Sequence, residues 1–89
     1  MFAVSASATS QLNELLGSME PPDGHCLRLV LRDAGPCLVL DTPFPNDVEY
    51  MDGEDTVLVV DPGTADDCAE YVLDVVDGEI QMRRAAELN

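Results

Sequence analysis

The stretch from residue 25 to residue 41, His-Cys-Leu-Arg-Leu-Val-Leu-Arg-Asp-Ala-Gly-Pro-Cys-Leu-Val-Leu-Asp, constrains the fold more than any other. Leu27, Leu29 and Leu31 recur at period two, with Cys26, Arg28 and Arg32 on the opposite face and Val30 among them, the pattern of a half-buried strand. Residues 33–36, Asp-Ala-Gly-Pro, interrupt it: Gly35 accepts a positive φ and Pro36 lacks an N–H, so the chain turns. Residues 37–40, Cys-Leu-Val-Leu, then return as a second strand, and a β-hairpin results.

The rest of the chain is arranged around that hairpin. Ser5 is a good helix cap, and from residue 6 to about 16 the apolar positions Ala8, Leu12, Leu15 and Leu16, then Met19, form one stripe. Gln11, Asn13 and Glu14 are assigned to water, and Gly17 to the helix stop. Residues 1–4 are expected either as an edge strand or as a hydrophobic staple on this helix. Residues 20–24, Glu-Pro-Pro-Asp-Gly, cannot continue a helix and read as an exposed connector. Beyond the hairpin, residues 41–47 form a proline-rich loop with Phe44 as its large apolar anchor. Residues 48–51 make a short strand, Asp52-Gly53 signals a turn, and the β-branched run 56–60 is the most buried strand by composition. Thr64 is a candidate cap for a short helix over residues 64–70, with Ala65, Cys68 and Ala69 on its apolar side. Two strands flank Asp77-Gly78 as a last hairpin. The pattern predicts an α+β fold with an N-terminal helix, a mostly antiparallel sheet built from hairpins, and one short helix before the last hairpin. One domain over residues 1–84 is expected, with 85–89 as a frayed tail.

Charge narrows function. Eighteen Asp and Glu face four Arg and no Lys, a formal net charge of −14 over 89 residues. Such a chain repels phosphates and anionic lipid surfaces, so neither nucleic acid nor membrane is an expected partner. Dense carboxylates without Lys suit a salt-rich cytoplasm, where screening suppresses their repulsion, and a halophilic source is expected. No apolar run approaches the ~18 residues of a membrane span, and the N-terminus lacks the basic region of a signal peptide. A cytoplasmic protein is expected. Three cysteines without framework spacing are expected as free thiols.

Catalytic constellations are hard to assemble. His25 is the single histidine, and beside Asp23 it reads as an exposed loop residue. The serines near the first helix, Ser5, Ser7, Ser10 and Ser18, have no base to activate them. Asp66-Asp67 and Asp52-x-Glu54-Asp55 are oxygen-rich but lack the spacing of a twelve-residue calcium loop. Gly53, Gly63 and Gly78 are isolated turn glycines and build no phosphate cradle. Arg28 and Arg32 are placed on the outer strand face, neutralising nearby carboxylates. No enzyme is expected.

The ordered set of elements resembles the A-type iron–sulfur cluster carriers, the HesB-like family. The likeness runs through Val4-Ser5-x-x-Ala8 opening a helix that closes in Leu15-Leu16, Leu27-Arg28-Leu29 before a glycine turn and a cysteine, Asp61-Pro62 closing a β-branched strand, and Leu73-Asp74 in the next strand. The resemblance implies a cluster or iron held by three cysteines: one in a Gly-Cys-Ser-Gly turn after the first strand and two in a C-terminal Cys-Gly-Cys. Cys37, after Gly35 and Pro36, stands near the first position, but Leu38-Val39 replace Ser-Gly and no Cys-Gly-Cys follows Arg83-Arg84. Cys37 is thus the single candidate metal ligand. If the turn pairs Arg32 with Cys37, Cys26 lies ~20 Å from it at ~3.3 Å per residue and cannot share its metal within one subunit. Cys26 and Cys68 are expected as small core or surface residues. The implied function is a non-enzymatic, accessory or divergent member of iron–sulfur cluster biogenesis, or a protein-interaction module with a degenerate metal site. The alternative is a working carrier of iron or a [2Fe–2S] cluster, holding it through Cys37 across a homodimer. A protein partner or self-association is expected, with no resident cofactor beyond the iron or cluster the family implies.

Overall fold

The computed structural model describes residues 2–88. In chain order the elements are β1 (Ala3–Val4), α1 (Ala6–Ser18), β2 (Cys26–Arg32), β3 (Gly35–Asp41), β4 (Val48–Asp52), β5 (Asp55–Val60), α2 (Pro62–Asp67), β6 (Tyr71–Val76) and β7 (Glu79–Arg84), then a 3-10 turn at Ala85–Leu88. This is the α+β order expected from the sequence, with the three hairpins β2–β3, β4–β5 and β6–β7 all antiparallel.

The strands divide between two sheets, ordered β3-β2-β5-β4 and β1-β6-β7. Two parallel pairings, β2 with β5 and β1 with β6, are the part the local pattern does not carry. The first follows from burial. Val57, Leu58, Val59 and Val60 are all fully buried, and a strand with no solvent face is best placed inside a sheet, so the first two hairpins join through β2 and β5. The N-terminal residues form the edge strand rather than only a staple: Ala3 pairs with Val72, and the Ser5 N–H donates to the Leu73 carbonyl at 2.9 Å.

Helix α1 starts at the expected cap, with Ser5 Oγ accepting from the Ala8 N–H at 3.1 Å. It runs past Gly17, and the stop comes at Met19, whose N–H bonds back to Leu16 and Gly17 carbonyls. Glu20 then takes a left-handed φ of 49°, and Pro21-Pro22 prevent continuation. The buried stripe is Ala8, Thr9, Leu12 and Leu16, narrower than the sequence implied, since Leu15 and Met19 are 39% and 42% exposed. Nor do Gln11 and Asn13 simply face water. Gln11 donates to the Gly78 carbonyl at 3.0 Å and Asn13 to Asp52 Oδ2 at 2.9 Å, tying the helix to two hairpin turns.

The core gathers Phe2, Leu12, Leu27, Leu29, Leu58 and Leu73 between the helix and the sheets. Each such side chain contributes about 1.5–3 kcal/mol by burial. Tyr50 closes one end: its hydroxyl donates to the Phe2 carbonyl at 2.6 Å, and its ring stands edge-on to Phe2 at 5.8 Å. Helix α2 is capped by Asp61, not Thr64; the Asp61 carboxylate accepts from the Thr64 N–H and hydroxyl at 3.0 and 2.7 Å. Cys68 is buried just after it, whereas Ala69 is exposed. Asp77 and Gly78, at φ 52° and 81°, make the tight turn that joins β6 to β7. Beyond β7, where a frayed tail is expected, the Ala85 N–H donates to the Glu70 carbonyl at 2.9 Å and the 3-10 turn follows. Residue 89, the last of that tail, lies outside the described residues.

Candidate functional site

The β2–β3 register decides where each candidate stands. Arg32 pairs with Gly35, Val30 with Cys37, Arg28 with Val39 and Cys26 with Asp41, around a turn of Asp33 and Ala34. The expected pairing of Arg32 with Cys37 is therefore replaced by one in which Pro36 is part of the strand. Cys26 is four positions along from the Cys37 pair rather than six, about 13 Å at ~3.3 Å per residue. The two thiols still cannot meet on one metal within the subunit.

All three cysteines are free thiols. Cys26 and Cys68 are 2% and 3% exposed, and burial pushes both thiols above the ordinary range, which keeps them protonated and poor ligands. Cys37 is the half-exposed one, its thiol 3.8 Å from the Gly35 carbonyl that accepts its weak hydrogen bond. Cys68 and Pro36 line one apolar cavity on the inner face of the hairpin, while Cys37, the next residue along, alternates to the outer face. The thiols thus diverge. Among the described residues no three His, Cys, Asp or Glu side chains are grouped as a metal site.

The most fully built polar arrangement is centred on Arg28, which stands on the outer strand face as expected but is buried there by the loop that follows the hairpin. Its Nε donates to Asp41 Oδ2 at 2.8 Å, and its two terminal nitrogens form a fork with Asp47 at 3.0 and 2.6 Å. One of those nitrogens also donates to the Thr42 carbonyl at 3.1 Å, and the guanidinium lies 4.5 Å from the Phe44 ring centroid. The arginine thereby folds the loop of residues 42–47 back across the sheet. Hydrogen bonds from Arg28 hold the Asp47 carboxyl below the usual carboxylate range. Asp41 is lowered first by the Thr42 N–H and then by Arg28. In return, Asp47 above all raises the guanidinium pKa, so the charge is permanent. The expected neutralisation of carboxylates is met by Arg28, but Arg32 is exposed and joins no ion pair among the described residues.

The remaining candidates are local. His25 is half-buried, with Nδ1 3.4 Å from the Asp23 carbonyl, and it lines an open groove of about 520 Å³ with Cys26, Pro43 and Thr56. Ser5 is a cap and the Ser18 hydroxyl donates to the Leu15 carbonyl at 2.7 Å. Asp66 and Asp67 are exposed on α2, while Asp52 is engaged with Asn13. Sequence reasoning missed the Asp41–Arg28–Asp47 clasp. Its signal was an arginine between two leucines, Leu27-Arg28-Leu29, followed after the hairpin by a proline-rich loop with a carboxylate at each end, Asp41 and Asp47.

A small α+β domain of two sheets, with the helix packed across them and a clasped loop after the first hairpin, is an A-type-carrier-like fold. The crystal structure of Escherichia coli SufA, a protein involved in biosynthesis of iron–sulfur clusters, matches it with a TM-score of 0.68. The match covers 93% of this chain and 84% of SufA at 17% identity, which is a likeness of fold. No family sequence model matches the chain, and no curated protein matches it in sequence.

Proposed function

We propose that the chain is a non-enzymatic protein of iron–sulfur cluster biogenesis, an accessory or divergent member that keeps the carrier fold and acts through protein contacts. The observation that carries this reading is the likeness of fold to SufA over nearly the whole chain, combined with thiols that diverge instead of converging. A cluster needs four ligands, mostly thiolates, and Cys37 alone is placed to offer one per subunit. The site is in this reading degenerate, and the single domain works in the cytoplasm of a salt-rich cell without nucleic acid or membrane partners.

A second reading has one specific observation behind it. Cys37 is the half-exposed thiol and lies on a strand at a sheet edge, where a second copy of the chain would bring two Cys37 thiols together. That homodimer would hold iron or a [2Fe–2S] cluster with two further ligands from elsewhere. Anaerobic reconstitution with iron and sulfide separates the two readings. The accessory role predicts a colourless protein after desalting, for the wild type and for Cys37→Ala alike. A brown wild-type species with visible absorption that is lost in Cys37→Ala would establish the carrier instead.

A further inference from the structure

Three of the four sheet edges are guarded. β4 carries Glu49 and Asp52 and is broken by a register shift at Tyr50/Met51, which hinders pairing. β1 is two residues long, and β7 carries Glu79, Arg83 and Arg84. β3 alone runs without charge, from Gly35 to Leu40. Because Pro36 has no N–H, the Leu31–Pro36 pair is left to the non-bonded kind, and the two kinds alternate along an antiparallel ladder. Leu29–Leu38 and Leu27–Leu40 are therefore non-bonded as well. The N–H and C=O of Leu38 and Leu40 point away from β2, and no other backbone bond reaches them among the described residues.

A strand added to this edge must suit two faces. On the inner face, Pro36 and Leu38 line a cavity of about 170 Å³ with Leu29, Leu73 and Ile80. On the outer face, β3 presents Gly35, Cys37, Val39 and Asp41 by alternation. Behind Gly35 on that face stands Arg32, exposed and in no ion pair among the described residues. The strand that fits is apolar inward and carries a carboxylate outward, at the end that comes to Arg32. β3 itself answers that description. Pro36, Leu38 and Leu40 turn inward, and Asp41 ends the outer row with its side chain 36% exposed, although Arg28 and the Thr42 N–H already hold it. A carboxylate has acceptor sites left after two such bonds.

We infer that β3 pairs antiparallel with the same strand of a second copy of this chain, about a twofold axis at Leu38, so that the two larger sheets become one. The Leu38 N–H donates to the partner's Leu38 carbonyl and the Leu40 N–H to the partner's Pro36 carbonyl, each in both directions, so Pro36 needs only to accept. In this register the partner's Asp41 stands opposite Gly35, with Arg32 one strand further on. Two strand spacings are about 10 Å, and Gly35 has no side chain to stand between, so the guanidinium and the carboxylate meet across it. The partner's Leu40 arrives opposite Pro36 and covers the mouth of the inner cavity. The ion pair sets the register, while salt screens the mutual repulsion of two chains of −14 each. This inference rests on the reading of the chain as a protein that acts through protein contacts, and it names a second copy as the partner.

Sedimentation velocity of the iron-free chain, from micromolar to about 0.5 mM, should show a reversible dimer in about 1 M NaCl and a weaker one at about 0.1 M. Amide exchange at Leu38 and Leu40 should slow as concentration rises. Arg32→Glu, at an exposed position outside the core, should weaken the dimer about tenfold or more in a chain of unchanged circular dichroism, and Arg32→Lys should largely keep it. Val39→Cys reads the register. Position 39 faces the partner's Cys37 in a non-bonded pair, with Cα atoms about 4.5 Å apart, so oxidised glutathione should join the introduced thiol to the partner's Cys37. In the wild type the two Cys37 residues are diagonal neighbours about 7–8 Å apart and should link far more slowly. A monomer throughout, a dimer that leaves Leu38 and Leu40 exchanging freely, an undiminished Arg32→Glu dimer, or a Val39→Cys chain that links no faster than the wild type would each overturn the proposal. A brown reconstituted species would unseat the functional reading without altering the sedimentation of the iron-free chain, so the two failures are distinguishable.

Discussion

Arg28 sits at 9% side-chain exposure facing Asp47 at 1%, and removing it strands a buried carboxylate. Breaking a buried pair in this way costs about 3–5 kcal/mol. Arg28→Ala should therefore lower the urea midpoint sharply, and Arg28→Lys should recover part of the loss because it restores charge without the fork. Acid should act through the same group. Asp47 is lowered chiefly by Arg28, Asp41 by the Thr42 N–H, Asp61 by the Thr64 N–H and Asp74 by the Ser5 side chain. Each then binds fewer protons folded than unfolded, so its stabilisation is complete above the unfolded value of about 4 and is lost as pH falls through the lower folded value. In molar salt, where carboxylate repulsion is screened, the midpoint should hold from pH 7 to about 5 and fall below about 4. The fall should be shallower in Arg28→Ala, as urea titrations at each pH would show. That Arg28 serves carboxylates was legible from a chain with four cations; which carboxylates was not, because Asp47 arrives through a loop nineteen residues later.

Among the elements, α1 gives the sharpest contrast between periodicity and packing. Leu12 and Leu15 both fit an apolar stripe, yet Leu12 is fully buried and Leu15 is 39% exposed. Leu12→Ala should cost about 2–5 kcal/mol. Leu15→Ala should stay within about 0.5 kcal/mol. Paired chemical denaturations would read both, and equal losses would mean that the helix is rotated from the face described. The hairpins were legible because their turns are chemical: Asp77-Gly78 takes the left-handed angles that its composition permits. The first turn was read two residues too long since Gly35 and Pro36 both resemble turn residues, while the ladder incorporates them and turns at Asp33 and Ala34. Pro36 is tolerated there because the missing donor faces outward at an edge. Cys37 moved with that register, from opposite Arg32 to opposite Val30.

For the whole molecule, −14 net charge is opposed by ion pairs that, among the described residues, involve Arg28 alone. Self-repulsion should dominate at low salt. Raising NaCl from about 0.1 to 1 M shortens the screening length from about 10 to 3 Å, and the thermal midpoint should rise with it. A midpoint that falls would show that salt weakens the Arg28 clasp more than it relieves the surface. The sequence by itself determined the net charge of −14 and, because each arises from a few neighbouring residues, the hairpins, the helix and its Ser5 cap, and the buried run at β5. Only the tertiary structure decided that β2 and β5 run parallel, that Asp47 closes on Arg28, that the three thiols diverge and that β3 is left as an open edge. Those outcomes depend on which distant surfaces must cover one another, and loops whose closure entropy varies little with length leave that choice to the packing of the finished core.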